Sequence, residues 1–168
     1  AETAVSSATP RTVPSSPIDP LAVGAPGAAN VFWTASTNNG GAEISGYTAT
    51  AYTALVGGSV AGTACTTAAL TCQITGLAAS TTYYYSVVAT NAGGNSVATS
   101  PRVLVQPAAL PGAPTITSIT GANATLSVAF TAGTFDANAP LVYYKYSTDT
   151  GTTWVSLPAG TTSPFTIS

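Results

Sequence analysis

Chemistry in this chain has to come from a short roster of side chains. The 168 residues hold five carboxylates (Glu2, Asp19, Glu43, Asp136 and Asp149), three bases and no histidine. Ser-His-Asp and Cys-His catalysis and His-ligated metals are therefore excluded. Glycoside hydrolysis by a carboxylate pair would have to draw on those five acids. They fall in predicted loops or in the N-terminal tail, and no apolar surroundings are evident that would raise one carboxyl's pKa. A calcium cage from so few carboxylates has no support, and no cofactor is implied. One stretch does set an acid among hydroxyls and a ring at fixed spacing. It is "STDTGTTW", with Ser147, Asp149, Gly151 and Trp154 at its marked positions.

The elements that would position such groups are built from a chain poor in charge. Charged residues make up 5%, against about 25% in an average soluble protein. The surface must be mostly Thr, Ser, Asn, Gly and Ala, which suits a protein outside the cell better than a cytosolic enzyme. The bases Arg11, Arg102 and Lys145 are scattered, so phosphate neutralisation and nucleic-acid binding are excluded. No apolar run reaches the roughly 18–20 residues of a membrane span. No signal peptide begins at Ala1, so an export signal would have been removed or would lie outside the sequence.

Short apolar–polar alternations broken by Gly, Pro, Asn and Ser point to an all-β sandwich or barrel. "VFWTAS" places Val31 and Trp33 on one face, and "GYTATAY" groups Tyr47, Ala49 and Ala51. "YYYSVVAT" sets Tyr83, Tyr85, Val87 and Ala89 against Tyr84, Ser86, Val88 and Thr90. Cys65 and Cys72 frame six residues, a spacing that suits a disulfide across the base of a long hairpin turn. Two buried free thiols are the other reading. The disulfide would imply an oxidising compartment.

An internal repeat organises the chain. Pro17, Trp33, Ile44 and Tyr47 each recur 97 residues later as Pro114, Phe130, Leu141 and Tyr144. Ile74 pairs best with Ile167, 93 residues on, so the second copy has lost about four residues in a hairpin. These landmarks, with "SGYTATAY" and "GLAASTTYYYSVVATNAGG", resemble tandem fibronectin type III domains of the bacterial kind. The resemblance implies an all-β fold of tandem immunoglobulin-like sandwiches, with Trp33, Tyr47, Phe130 and Tyr144 as core markers. It also implies a tyrosine corner at Leu77 and Tyr83, the hydroxyl bonding back to the corner backbone. Ala79 stands where the family usually has proline.

The implied organisation has four parts. Residues 1–16 read as the last strand and linker of a preceding domain, and 17–107 as a complete sandwich. Residues 108–113 read as a Pro-rich linker, and 114–168 as a second sandwich with strands A to E but neither F nor G. Such a half-sandwich exposes an open edge and half its core. Two explanations stand: an excerpt from a longer array, or completion by strands from another molecule.

The Ser147–Trp154 stretch matches the Asp-box of sialidases. That resemblance would require three arginines, a Tyr nucleophile with a Glu partner and several such boxes, and the chain has two arginines and one box. The stretch instead falls where strand C of the second copy, "LVYYKYS", needs a hairpin. There Asp149 accepts turn amides, Gly151 takes a positive φ and Trp154 folds back on the sheet. Tyr52, Tyr84, Tyr143 and Trp154 are candidate sugar platforms, with cross-strand packing as the plainer reading. "NAGGNS" carries no Arg-Gly-Asp adhesion tripeptide. Asn123 heads a glycosylation sequon, and the motif that would accompany an isopeptide bond at Lys145 is absent.

The function these readings favour is non-catalytic: a structural, spacer or adhesive segment of an extracellular surface or filament-forming repeat protein. The alternatives are an accessory module of a secreted polysaccharide-degrading enzyme and a phage tail or capsid appendage. Expected partners are neighbouring domains of a longer chain, with a homo-oligomer or filament and cell-surface carbohydrate as further candidates. The expected location is extracellular or cell-surface, with the virion surface as the alternative.

Overall fold

A computed structural model describes residues 10–136 and 140–168 and turns the period-two alternation into strands, with no helix among the described residues. The chain divides into two compact units, Ala1–Ala108 and Ala109–Ser168.

Among the described residues, eight strands build the first unit: β1 (Ile18–Ala25), β2 (Ala28–Thr34), β3 (Ile44–Tyr52), β4 (Val60–Thr67), β5 (Thr71–Thr75), β6 (Tyr83–Asn91), β7 (Gly94–Asn95) and β8 (Val103–Val105). β1, β2 and β5 form one layer, and β4, β3, β6, β7 and β8 the other. A single bridge, Thr63 to Thr75, joins the layers at the β4–β5 edge. Side chains alternate across a strand, so Val31 and Trp33 of β2 face inward together. They meet Tyr47, Ala49 and Ala51 of β3 and Tyr83, Tyr85, Val87 and Ala89 of β6 in one buried cluster. The small Ala49 and Ala51 beside Tyr85 and Trp33 let large and small side chains interdigitate.

Three local devices close this sandwich. Tyr83 Oη accepts a hydrogen bond from the Ala78 amide at 3.2 Å, beside the buried Leu77, whose own amide donates to the Gly27 carbonyl. Along the far edge of β6, the Val87 and Ala89 amides donate to Thr99 Oγ1 and Ser96 Oγ. Buried hydroxyls there take bonds that a continuous backbone ladder would otherwise take. Cys65 and Cys72 are disulfide-bonded, with Cα atoms 6.2 Å apart. Because β4 and β5 lie in different layers, the bridge ties the two sheets together at one edge. It also spans the turn between these consecutive antiparallel strands, as its spacing had suggested.

The ends of the unit differ from the expected boundaries. Residues 1–9 lie outside the described residues, and with them most of the strand assigned to a preceding domain. Residues 10–16 belong to this sandwich: the Thr12 amide donates to Gly40 O and the Ser15 amide to Asn38 O, and Pro14 is buried. Gly40 has φ of +69°, and a Cβ there would overlap the Thr12 carbonyl oxygen. The expected linker 108–113 is shared between the units. Ala108 N donates to Ala25 O in the first, while Ala109 N and Gly112 N donate to Asp136 Oδ2 and Thr134 O in the second.

The second unit contains β9 (Thr115–Ala122), β10 (Thr125–Thr131), β11 (Lys145–Tyr146), β12 (Val155–Ser156) and β13 (Phe165–Ile167). β10 is flanked by β9 and β13, and β11 pairs with β12. Its registers parallel those of the first unit. Val128 lies between Ile119 and Phe165, as Val31 lies between Ala22 and Cys72. Leu126 opposes Ile167 as Ala29 opposes Ile74. Phe130 meets Tyr144 at 4.6 Å between ring centroids, where Trp33 meets Tyr47 at 5.5 Å. Strand C is far shorter than "LVYYKYS" suggested: only Lys145 and Tyr146 are in strand, and residues 137–139 just before it lie outside the described residues. β3 is held on both edges, by β4 and β6, whereas β11 has β12 on one edge and no partner on the other among the described residues.

The corner and the bridge should carry separable shares of stability. Removing the Tyr83 hydroxyl (Tyr83→Phe) should lower unfolding free energy by about 0.5–1.5 kcal/mol. Truncating buried Leu77 to Ala should cost about 2–5 kcal/mol. Reducing the Cys65–Cys72 bond should cost about 2–3 kcal/mol by the loop-entropy rule. Urea unfolding followed by the fluorescence of buried Trp33 measures all three.

Candidate functional site

The Ser147–Trp154 turn is the densest polar cluster of the second unit. Ser147 Oγ donates to Asp149 Oδ1 at 2.7 Å and accepts from the Gly151 amide at 2.8 Å. Asp149 Oδ1 also accepts the Thr153 amide at 2.8 Å, and Oδ2 accepts the Thr153 hydroxyl. The Thr150 and Thr152 hydroxyls both donate to the Asp149 carbonyl. Thr150 and Gly151 take positive φ, +57° and +89°, and reverse the chain between β11 and β12. The carboxylate thus organises its own turn amides.

Its electrostatics follow from those bonds. The Thr153 hydroxyl, then the Thr153 amide and the Ser147 hydroxyl, hold the Asp149 carboxyl at about 2, below its usual 3.8. A general acid for glycoside cleavage needs the opposite shift. Asp149 is suited to a permanent anion inside a turn and not to proton transfer.

Trp154 departs from the expectation that its ring folds onto the sheet. Nε1 donates to the Gly151 carbonyl at 3.0 Å, and the ring lies over Gly151 while remaining 59% exposed. The turn provides an acceptor at the right distance, and that bond holds the indole over the turn.

Arg102 and the aromatic face of the first unit form a second cluster, which the sequence reading missed. Registers align Val60, Tyr52, Tyr84 and Leu104 in one row across β4, β3, β6 and β8. The Arg102 guanidinium lies 3.5 Å from the centroid of Tyr52. Its Nη1 donates to the carbonyls of Ala54 at 2.8 Å and Gly57 at 2.6 Å, pinning the hairpin between β3 and β4. In sequence Arg102 is simply one of two arginines, 50 residues from Tyr52, and only its place beside β8 brings it to that ring.

Asn91, at the head of "NAGGNS", fastens a third set of contacts. Its Nδ2 donates to the Thr12 and Asn39 carbonyls, and its Oδ1 accepts the Gly93 amide. The "NAGGNS" loop is thereby fastened to the N-terminal strap and to the loop after β2. The remaining candidates are dispersed. Tyr143 is 45% exposed with Lys145 Nζ 5.7 Å from its ring centroid, and Asp136 caps the Ala109 amide. No cluster of three or more His, Cys, Asp or Glu occurs among the described residues, and no described helix is long and apolar enough to cross a membrane. Chemically, these arrangements hold turns and loops.

The sandwich and its corner define an immunoglobulin-like β module, and sequence comparison narrows the class. The fibronectin type III domain model matches residues 21–106, just over half of the chain, and the chain belongs to that family. No curated protein matches it in sequence. Among solved structures, a human fourth FNIII domain is 23% identical with a TM-score of 0.52, over 67% of this chain and 93% of that one. The third fibronectin III domain of the human KIAA0343 protein is 15% identical with a TM-score of 0.50, over 67% and 97%. The twitchin kinase region from C. elegans is 25% identical with a TM-score of 0.50 over 56% of this chain. The chain spans only 17% of that twitchin chain. Domains of this family are generally non-catalytic modules of multidomain chains.

Titration tests the turn. The folded carboxyl of Asp149 is depressed, so its contribution is complete above about pH 4 and is lost as pH falls through about 2. An NMR titration of the Asp149 side-chain carbonyl should place its midpoint near 2. Asp149→Asn should accelerate amide exchange at Thr153 and leave β6 exchange unchanged. A midpoint near 4 would show that the Thr153 and Ser147 bonds do not hold in solution.

Proposed function

We propose that this chain is a non-catalytic structural or spacer segment of an extracellular, surface or filament-forming repeat protein. The observation that carries this reading is the parallel between the two units. The 97-residue sequence offset coincides with shared registers around Val31 and Val128 and with matching ring pairs, Trp33–Tyr47 and Phe130–Tyr144. The best explanation is that a second fibronectin type III sandwich begins near Pro114, with its strands A to E in residues 114–168, after a first that ends near Pro107. A tandem array of such modules extends or spaces what it joins, and the Pro-rich run around residues 107–114 restricts the backbone. The sequence motifs favour a bacterial or phage source.

Low charge and the Cys65–Cys72 bridge support a location outside the reducing cytosol. Engagement of Asp149 in its own turn and of Arg102 with the β3–β4 hairpin supports a role without catalysis. The half-buried row of Tyr52 and Tyr84 favours, as a second reading, an accessory carbohydrate-binding module. Retention on soluble polysaccharides in affinity gels, lost in Tyr84→Ala, would establish that reading over the spacer role.

Differential alkylation in source cells tests the main reading. Cys65 and Cys72 should resist alkylation until a reductant is added, and intact protein should be recovered from the outer surface or medium. Direct labelling of both thiols in unreduced cells would overturn the extracellular assignment.

A further inference from the structure

The row of Val60, Tyr52, Tyr84 and Leu104 lies on an outer face of the first unit that carries hydroxyls and no carboxylate. Thr48 and Thr50 of β3 share that face with Tyr52, and the Thr48 and Thr66 hydroxyls lie 3.2 Å apart across β3 and β4. β3, β4, β6 and β8 contain no charged residue, so Arg102 supplies the charge beside the row. Of the first unit's described acids, Asp19 belongs to β1 in the other layer. Glu43 precedes β3, at the far end of that strand from Tyr52.

Arg102 is held in place but not used up. Both of its bonds to the hairpin carbonyls come from Nη1, and the guanidinium rests on Tyr52. Nε and Nη2 have no hydrogen-bond partner among the described residues. The N–H bonds along that edge of the guanidinium run parallel, the pair of donors that meets a carboxylate bidentately. The contacts with Ala54, Gly57 and Tyr52 already restrict the side chain, so little rotamer freedom is left to lose on binding. Tyr84 stands opposite Tyr52 and beside Leu104. It is half-buried, and neither its ring nor its hydroxyl has a partner among the described residues.

We propose that this face binds a polysaccharide containing uronic acids. A sugar carboxylate sits on the Nε–Nη2 edge of Arg102, and the C–H face of a sugar ring lies on Tyr84 and Leu104. The proposal rests on the second reading above, in which Tyr52 and Tyr84 form a carbohydrate platform, and it names the class of sugar. Charge makes the selection: a uronate gains a charge-assisted pair of hydrogen bonds that a neutral sugar cannot offer. The fold disfavours an acidic peptide in the same place. β3 is paired with β4 and β6, and β6 with β3 and β8, so a peptide strand finds no free main-chain edge there. Laid across the row, it would cover its own amides without partners. A sugar keeps its hydroxyls at the rim, where water and the Thr hydroxyls reach them, while its C–H face meets the aromatic row.

The test uses the full chain with oligomers of galacturonate and of mannuronate, the methyl esters of both, and an oligoglutamate of matched length. NMR shifts of the Arg102 Nε–H and the Tyr84 amide are followed at physiological ionic strength. The uronates should move both signals and bind about tenfold or more tightly than their esters, which keep the sugar ring and lose the charge. Arg102→Lys retains the charge without the fork and should cut that preference to about twofold or less, with β6 amide exchange unchanged. A lysine variant that keeps the full preference overturns the proposal. Esters that bind as tightly as the uronates, moving Tyr84 but not Arg102, overturn it and leave the carbohydrate reading standing. Oligoglutamate that matches the uronates overturns it in favour of an acidic peptide. No shift with any oligomer also overturns it, and the carbohydrate reading falls too if affinity gels of neutral polysaccharides show no retention.

Discussion

The first unit depends on burial of one face of β6. Tyr83, Tyr85, Val87 and Ala89 enter the space between the layers, and Trp33 and Tyr47 pack around them. Each large ring removes about 150–250 Å² from water, worth roughly 4–6 kcal/mol at 25 cal/mol/Å². Tyr85 Oη and Trp33 Nε1 are buried without a hydrogen-bond partner among the described residues, and burial pushes the Tyr85 hydroxyl's pKa up. An unpaired group of this kind costs about 1–3 kcal/mol. Ring burial wins by magnitude, so the layer tolerates two unsatisfied groups. The edge devices then become intelligible: the Tyr83 hydroxyl sets the entry of β6, and Ser96 and Thr99 occupy its outer amides.

The second unit has the same framework without that layer. β9, β10 and β13 repeat the registers of β1, β2 and β5, and Phe130–Tyr144 repeats the Trp33–Tyr47 contact. Nothing in the described chain enters between its sheets as β6 does, and the same apolar positions stay open. β11 shrinks to two residues for a related reason: a strand is stabilised through its neighbours, and one of its two edges has none.

Much of the fold was legible in residue spacing. Alternation in "VFWTAS", "GYTATAY" and "YYYSVVAT" identified which side chains point inward, because strand side chains alternate whatever the partner strand is. The long-range hydrogen bonds were not legible. Asn91 reaches Thr12 across 79 positions, and Arg102 reaches Ala54 across 48. Asn and Arg carry no periodicity that would announce a partner. The disulfide was readable as a pair but not as a link between layers, since spacing does not say to which sheet a strand belongs.

The turn at Asp149 separates the two kinds of information cleanly. Sequence alone determined that Ser147, Asp149 and Gly151 would make a hydrogen-bonded reversal, because all the bonds involved span at most four residues. It also determined the strand faces, the repeat and the poverty of catalytic groups, which are properties of order and composition. Tertiary structure decided where Trp154 rests, which layers Cys65 and Cys72 join, and that residues 10–16 belong to the first sandwich. It also decided that the apolar side chains of the second unit line an open groove. Each of those depends on distances between segments remote in the chain, which packing fixes and local sequence does not.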